Sequence, residues 1–185
     1  MPGARRSRIC AGINRELGRQ TYARVHAAGA AAVIGACQEA GAERLAMLSF
    51  LRATADGPSV YHRSKWAAEE TVRRSWLTWT ILKAGMIYGR GDHMLDHLSR
   101  ALHTFPLFAL VGMRDHPARP VAVADAVRVL EASVTGDARL ANRTVAVLGP
   151  ERLSLGEIVR RVCAVTGRRV LIIRLPVGAH LLIAG

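Results

Sequence analysis

Tyr61 and Lys65 bracket the run Tyr61-His62-Arg63-Ser64-Lys65, a four-residue spacing that puts a phenol and an ammonium on one face of a helix. In isolation both groups titrate near about pH 10, so neither exchanges protons readily at neutral pH. An ammonium held within about 4–6 Å of a phenol favours the tyrosinate and draws its pKa toward the working range. The pair therefore offers acid–base chemistry at an alcohol or carbonyl oxygen. The plainer alternative is a solvated helix face on which Lys65 pairs with Glu69 one turn on, a contact worth about 0.3–0.5 kcal/mol.

The elements around the pair must hold it in place. Leu45-Ala46-Met47-Leu48-Ser49 reads as a buried strand ending in a hydroxyl, and Trp79-Thr80-Ile81-Leu82 as a second buried strand after the helix. Residues 21–40 predict an earlier helix, with Tyr22, Val25, Gly29, Val33, Ala36 and Cys37 along one stripe and Gly41 as its stop. Ser154-Leu155-Gly156-Glu157 reads as a capping box ahead of Ile158, Val159, Val162 and Val165, with Gly167 as the stop and a strand over 170–175. Short β-rich runs alternating with helical periodicity predict an α/β fold, a parallel sheet with crossover helices.

A serine at a strand end, then Tyr and Lys on a helix, then another strand resembles the extended and atypical short-chain dehydrogenase/reductases, the NAD-dependent epimerase/dehydratase-like proteins. Ile87-Tyr88-Gly89-Arg90-Gly91-Asp92 is similar to the YG-containing loop of that family, and residues 119–126 to the segment introducing its late helix. Within the family the likeness is greatest to the branch containing the nucleotide-binding accessory subunit of respiratory complex I. The resemblance implies NAD or NADP as cofactor and a small-molecule substrate. It makes Tyr61 the general acid/base, Lys65 the group that holds the nicotinamide ribose, and Ser49 a hydrogen-bond donor to the substrate oxygen. For Ser49 a serine capping the following turn is an equal alternative. Ala11, Gly12, Leu48, Ser49, Tyr61, Lys65, Ala84, Gly85 and Met86 are the implied cofactor contacts. His26 stands where many members carry an asparagine that organises a relay water; a histidine satisfied by nearby polar groups is the commoner state. Asp125 reads as a helix-start acid favoured by the dipole.

One signature of the family is missing from the sequence. No glycine-rich turn of the G-x-x-G-x-x-G kind precedes Tyr61, and Gly12 and Gly18 have the wrong spacing to bring a backbone against a pyrophosphate. The segment Arg8 to Ile13 matches the family's fourth strand. Residues 1–150 are therefore expected to form the C-terminal part of a Rossmann-like domain lacking its first strands, with 94–118 contributing to a lid. Residues 151–185 are expected to belong to a smaller substrate-side subdomain. The first strand should expose an unpaired edge to a protein partner or to a missing N-terminal segment, and NAD(P) binding by the isolated chain should be weak. Two functions follow: an NAD(P)-dependent oxidoreductase or epimerase/dehydratase-like protein working through Tyr61 and Lys65, or a non-catalytic nucleotide-binding accessory or assembly subunit of a respiratory-type complex. A scaffold using the sheet edge is a third.

Composition narrows the partners. The 185 residues are half hydrophobic, enough for a core of ordinary size. The net charge of +12 comes from 26 basic residues, all arginine except Lys65 and Lys83. The arginines are scattered, and their short clusters lack interleaved aromatics, so no nucleic-acid partner is expected. Cys10, Cys37 and Cys163 lack metal or disulfide spacing and read as buried small hydrophobes in a reducing, cytoplasmic setting. His93, His97 and His103 lack ligand spacing, so no metal is expected. Arg174 and Pro176 interrupt the last apolar run, so no membrane span is expected.

Overall fold

The computed structural model describes residues 5–112 and 117–176. In chain order its elements are β1 (Arg5–Ile9), a π-helical turn (Ala23–Ala28) running into α1 (Gly29–Glu39), β2 (Ala42–Phe50), α2 (Val60–Arg73) and β3 (Thr78–Ala84). There follow β4 (Ile87–Tyr88), α3 (His93–Thr104), β5 (Leu107–Val111), β6 (Val121–Ala122), α4 (Val123–Thr135), β7 (Arg143–Val147), α5 (Leu155–Thr166) and β8 (Leu171–Leu175). They fall into two compact units, Met1–Gly85 with Ala124–Leu148, and Met86–Val123 with Gly149–Gly185.

The first unit holds a parallel sheet of order β1-β2-β3-β7, the α/β architecture expected from the alternating pattern. Its central strands are apolar on both faces because helices cover them, as parallel sheets require. Met47 pairs with Ile9 on one side and Ile81 on the other, and these residues share a core with Leu45, Cys37, Ala68 and Val72. The stripe expected over residues 21–40 is largely kept, with Tyr22, Val25, Gly29 and Val33 half-buried and Cys37 buried. The buried positions are His26, Ala30 and Cys37, flanked by half-buried Val33 and Ile34, whereas Ala36 is exposed. Gly41, at φ +63°, ends the element as its left-handed conformation predicts.

The first strand also differs from expectation. It ends at Ile9, so Cys10, Ala11 and Gly12 lie in an exposed loop rather than in the sheet. Cys10 is therefore accessible, while Cys37 and Cys163 are buried as expected. Among the described residues no strand pairs with the outer edge of β1.

The second unit contains two parallel pairs, β4 with β6 and β5 with β8. Leu102 of α3 packs with Val159 and Cys163 of α5, and Phe108 and Ile172 close the cluster from the β5–β8 pair. The capping box of α5 forms as read from the sequence: Ser154 Oγ accepts from the Glu157 N–H at 3.2 Å, and Glu157 Oε2 accepts from the Ser154 N–H at 2.7 Å. Asp92 caps α3, its Oδ1 accepting from the Met94 N–H at 2.9 Å. No described helix is long and apolar enough to cross a membrane.

Candidate functional site

In a parallel sheet the loops leaving the carboxyl ends of the strands share one edge, the place where α/β folds build ligand sites. The loop after β1, the π-helical turn that follows it, the end of β2 and the start of α2 all meet there. They bring Gly12, His26, Tyr61 and Lys65 together, while Ser49 at the end of β2 faces Glu69. Ser59 caps α2 and accepts at 3.5 Å from the His62 N–H, which sets Tyr61 in the first turn and Lys65 one turn further on.

Tyr61 is half-buried among rings. Tyr22, His26, Phe50 and His62 lie edge-on to it, with centroids 5.7, 5.7, 5.4 and 5.9 Å away. Among the described residues its hydroxyl makes no hydrogen bond. Burial first, and Tyr22 second, push its pKa above the usual phenol value. This reverses the expected lowering by Lys65, because an apolar ring environment disfavours the tyrosinate.

Lys65 is buried rather than solvated. A Cβ added to Gly12 would come within 2.8 Å of its Nζ, so that glycine leaves room for the ammonium. Burial lowers the lysine pKa, and Glu69 and Cys10 act in the opposite direction. No ion pair joins Lys65 to Glu69. The carboxylate is instead engaged from three other sides: Oε1 accepts from Ser49 Oγ at 2.6 Å, while Oε2 faces Arg73 at 2.7 Å and Lys83 at 3.3 Å. Lys83 also donates to the Ala53 carbonyl at 2.7 Å, and the Trp66 ring lies 4.6 Å from Arg73 and 5.3 Å from Lys83. A serine has one proton to donate; here Glu69 holds it.

His26 is fully satisfied. Its Nε2 accepts from the Ile13 N–H at 3.2 Å, so Nδ1 carries the proton and donates to Ser64 Oγ at 2.9 Å. Ser64 in turn donates to the Tyr61 carbonyl at 2.8 Å. Burial, with Lys65 beside it, lowers the histidine pKa to about 4 and keeps the ring neutral at pH 7. The chain of donors ends on a carbonyl, which has no proton to pass on. The satisfied-histidine alternative is the one found.

The remaining expected contacts divide. Leu48 is half-buried in β2, Ala84 is buried at the end of β3 with its carbonyl accepting from the Leu51 N–H at 2.8 Å, and Gly85 follows it. Met86 belongs to the second unit. Sequence reasoning missed Tyr22 and Phe50 around the phenol and Lys83 on Glu69. For Lys83 a signal existed, since it is one of only two lysines in the chain.

A family of NAD(P)H-binding proteins matches residues 9–103, which includes the whole of this edge. The chain belongs to the NAD(P)H-binding family. Curated relatives of this NAD(P)H-binding chain include NADH dehydrogenase [ubiquinone] 1 alpha subcomplex subunit 9, mitochondrial. The mouse (Mus musculus) protein is 32% identical over 147 residues, 78% of this chain and 38% of the relative. The Arabidopsis thaliana protein is 27% identical over 121 residues, 65% of this chain and 30% of the relative. The chain thus spans well under half the length of these relatives. Among solved structures, dTDP-4-dehydrorhamnose reductase from Bacillus anthracis in complex with NADP superposes with a TM-score of 0.73 at 18% identity, covering 94% of this chain and 67% of that one. UDP-glucuronic acid 4-epimerase from Bacillus cereus in complex with NAD gives 0.74 at 14% identity, over 90% and 61%. These two likenesses establish a shared Rossmann-like fold.

Gly12 and Lys65 fit one end of such a cofactor. A backbone without a side chain lies over a buried ammonium that has no ion pair within the described chain, and a hydroxylated, anionic ligand would use both. No glycine-rich turn is present in the sequence for the pyrophosphate.

Proposed function

We propose that this NAD(P)H-binding chain works as a nucleotide-binding accessory subunit, holding NAD(P) without turning it over. The observation that carries the reading is the bond from Ser49 to Glu69: the hydroxyl that would orient a substrate oxygen is a structural tie. The raised pKa of Tyr61 supports it, because a phenol kept protonated is a poor base. The names of the curated relatives, subunits of NADH dehydrogenase, favour the same reading and suggest a protein partner. Lys65 and Gly12 would hold the nicotinamide ribose, with Ala11, Leu48, Ala84 and Gly85 near the remainder. NAD(P) when bound supplies a hydride donor or acceptor. Three unpaired cysteines support a reducing, cytoplasmic compartment.

A second reading, an oxidoreductase or epimerase/dehydratase-like enzyme, is favoured by Tyr61 itself: its hydroxyl has no partner within the described chain and stands one turn from Lys65. The test is calorimetric binding of NAD(H) and NADP(H) to this chain and to a version extended through the upstream coding sequence, followed by turnover assays on whichever binds. Binding with no turnover of nucleotide-sugar or alcohol substrates supports the subunit. Turnover abolished by Tyr61→Phe supports the enzyme, and absence of binding in both forms defeats both readings.

A further inference from the structure

Building on the nucleotide-binding reading above, we infer that the edge distinguishes the two redox states of its ligand: Lys65 selects NAD(P)H over NAD(P)+, because its charge meets the nicotinamide end with no anion to offset it. The two states share the adenosine, both riboses and the pyrophosphate. They differ at the nicotinamide ring, which carries a positive charge when oxidised and none when reduced. The net charge of +12 on the chain attracts the phosphates alike in both states. Discrimination therefore falls to the groups around Lys65, the residue that would hold the nicotinamide ribose.

The ammonium is within reach of a ligand. Among the described residues, the buried side-chain atom that is sealed from solvent without a hydrogen-bond partner is Asp92 Oδ2, in the second unit. Lys65 Nζ has no partner either and so keeps an accessible surface. Gly12 leaves that surface open, since a Cβ there would stand 2.8 Å from Lys65 Nζ and 3.6 Å from His26 Nε2.

The titratable groups that flank Lys65 supply no free negative charge. From the loop after β1, Cys10 is kept a neutral thiol by burial, which raises its pKa. From the π-helical turn, His26 is uncharged at pH 7, and from the first turn of α2, Tyr61 stays a protonated phenol. Glu69 is the carboxylate of this cluster, and it is already engaged: Oε1 accepts from Ser49, and Oε2 faces Arg73 at 2.7 Å and Lys83 at 3.3 Å. One carboxylate thus stands against three cations. A like charge within about 4–6 Å of an ionised group disfavours it by about one pKa unit or more, a factor of about ten in affinity, and a pyridinium ring at the ribose held by Lys65 would meet that penalty where a dihydropyridine would not.

The test is calorimetric titration of the intact chain, and of the form extended through the upstream coding sequence, with NADH against NAD+ and NADPH against NADP+ at one pH and ionic strength. Each reduced nucleotide is expected to bind about tenfold tighter than its oxidised partner. In Lys65→Gln, which keeps a hydrogen-bond donor and loses the charge, affinity for both states should fall and the preference should vanish. Added salt should narrow the preference in the unmodified protein, a check that needs no variant. Equal binding of the two states, tighter binding of the oxidised one, or a preference that Lys65→Gln leaves intact would overturn this inference while nucleotide binding itself stands. No binding of any of the four nucleotides to either form would overturn both.

Discussion

The hydroxyl of Ser49 donates to Oε1 of Glu69 at 2.6 Å and so ties the end of β2 to the body of α2. Glu69 is wholly buried and is held by Arg73 and Lys83 as well. Removing one member of such a cluster leaves its partners desolvated. Glu69→Ala should destabilise the chain by about 3–5 kcal/mol, and Ser49→Ala by about 1–3 kcal/mol, both measured by urea denaturation. NAD(P) affinity of Ser49→Ala should stay within a few-fold of the unmodified chain; loss of binding without loss of stability would return Ser49 to the ligand site.

Gly12→Ala separates space from stability. The added Cβ would press on Lys65 Nζ, the far end of a long side chain, and Gly12 itself lies in an exposed loop, so the fold should lose less than about 1 kcal/mol. The ammonium must move, however, and NAD(P) affinity in the extended protein should fall about tenfold, a change of about 1.4 kcal/mol. Calorimetric titration beside a thermal melt distinguishes the two effects.

His26 makes stability depend on pH in a defined window. Its pKa is about 4 in the folded chain against the ordinary 6.5, so between these values the unfolded state binds a proton that the folded state refuses. Stability is then full above about pH 6.5, declines as the pH falls, and levels off below about 4, with a total loss of at most roughly 3 kcal/mol. Urea melts of the unmodified chain between pH 7 and 4.5 should show this slope, and His26→Asn should remove that part of it.

Tyr61 should resist ionisation. With its pKa raised by burial and Tyr22, its phenolate absorbance should appear only above about pH 10, the ordinary tyrosine value. Comparing ultraviolet pH titrations of the unmodified chain and Tyr61→Phe isolates that one phenol. A component titrating near neutrality, absent from the variant, would restore the acid–base role.

Much of the architecture was legible because it follows from periodicity and caps. The serine strand, the Tyr–Lys helix and the following strand occur in the expected order, and the Ser154–Glu157 capping box and the Gly167 stop close as read. What escaped depended on pairing between distant segments. Spacing alone offers Glu69 to Lys65, four residues away, yet the register that sets Ser49 opposite Lys83 brings two other claimants to the same carboxylate. Burial of Lys65 beside Gly12 likewise depends on where the loop after β1 travels, which no local pattern encodes. The reversed pKa of Tyr61 has the same origin, since its neighbours Tyr22 and Phe50 come from other elements.

The π-helical turn at Ala23–Ala28 has a bearing on how this edge tolerates insertion and deletion. Deleting one residue there would let the segment relax into an ordinary helix, at about 100° per residue. Tyr22 would then keep nearly its side of the axis relative to Ala30 and Cys37, because a π-helical turn rotates only about 82° per residue and one fewer residue at about 100° gives almost the same total rotation. The wide turn is thus the one stretch of this edge that could lose a single alanine and leave Tyr22 in register with Ala30, whereas the same loss within α1 would rotate Cys37 by about 100°.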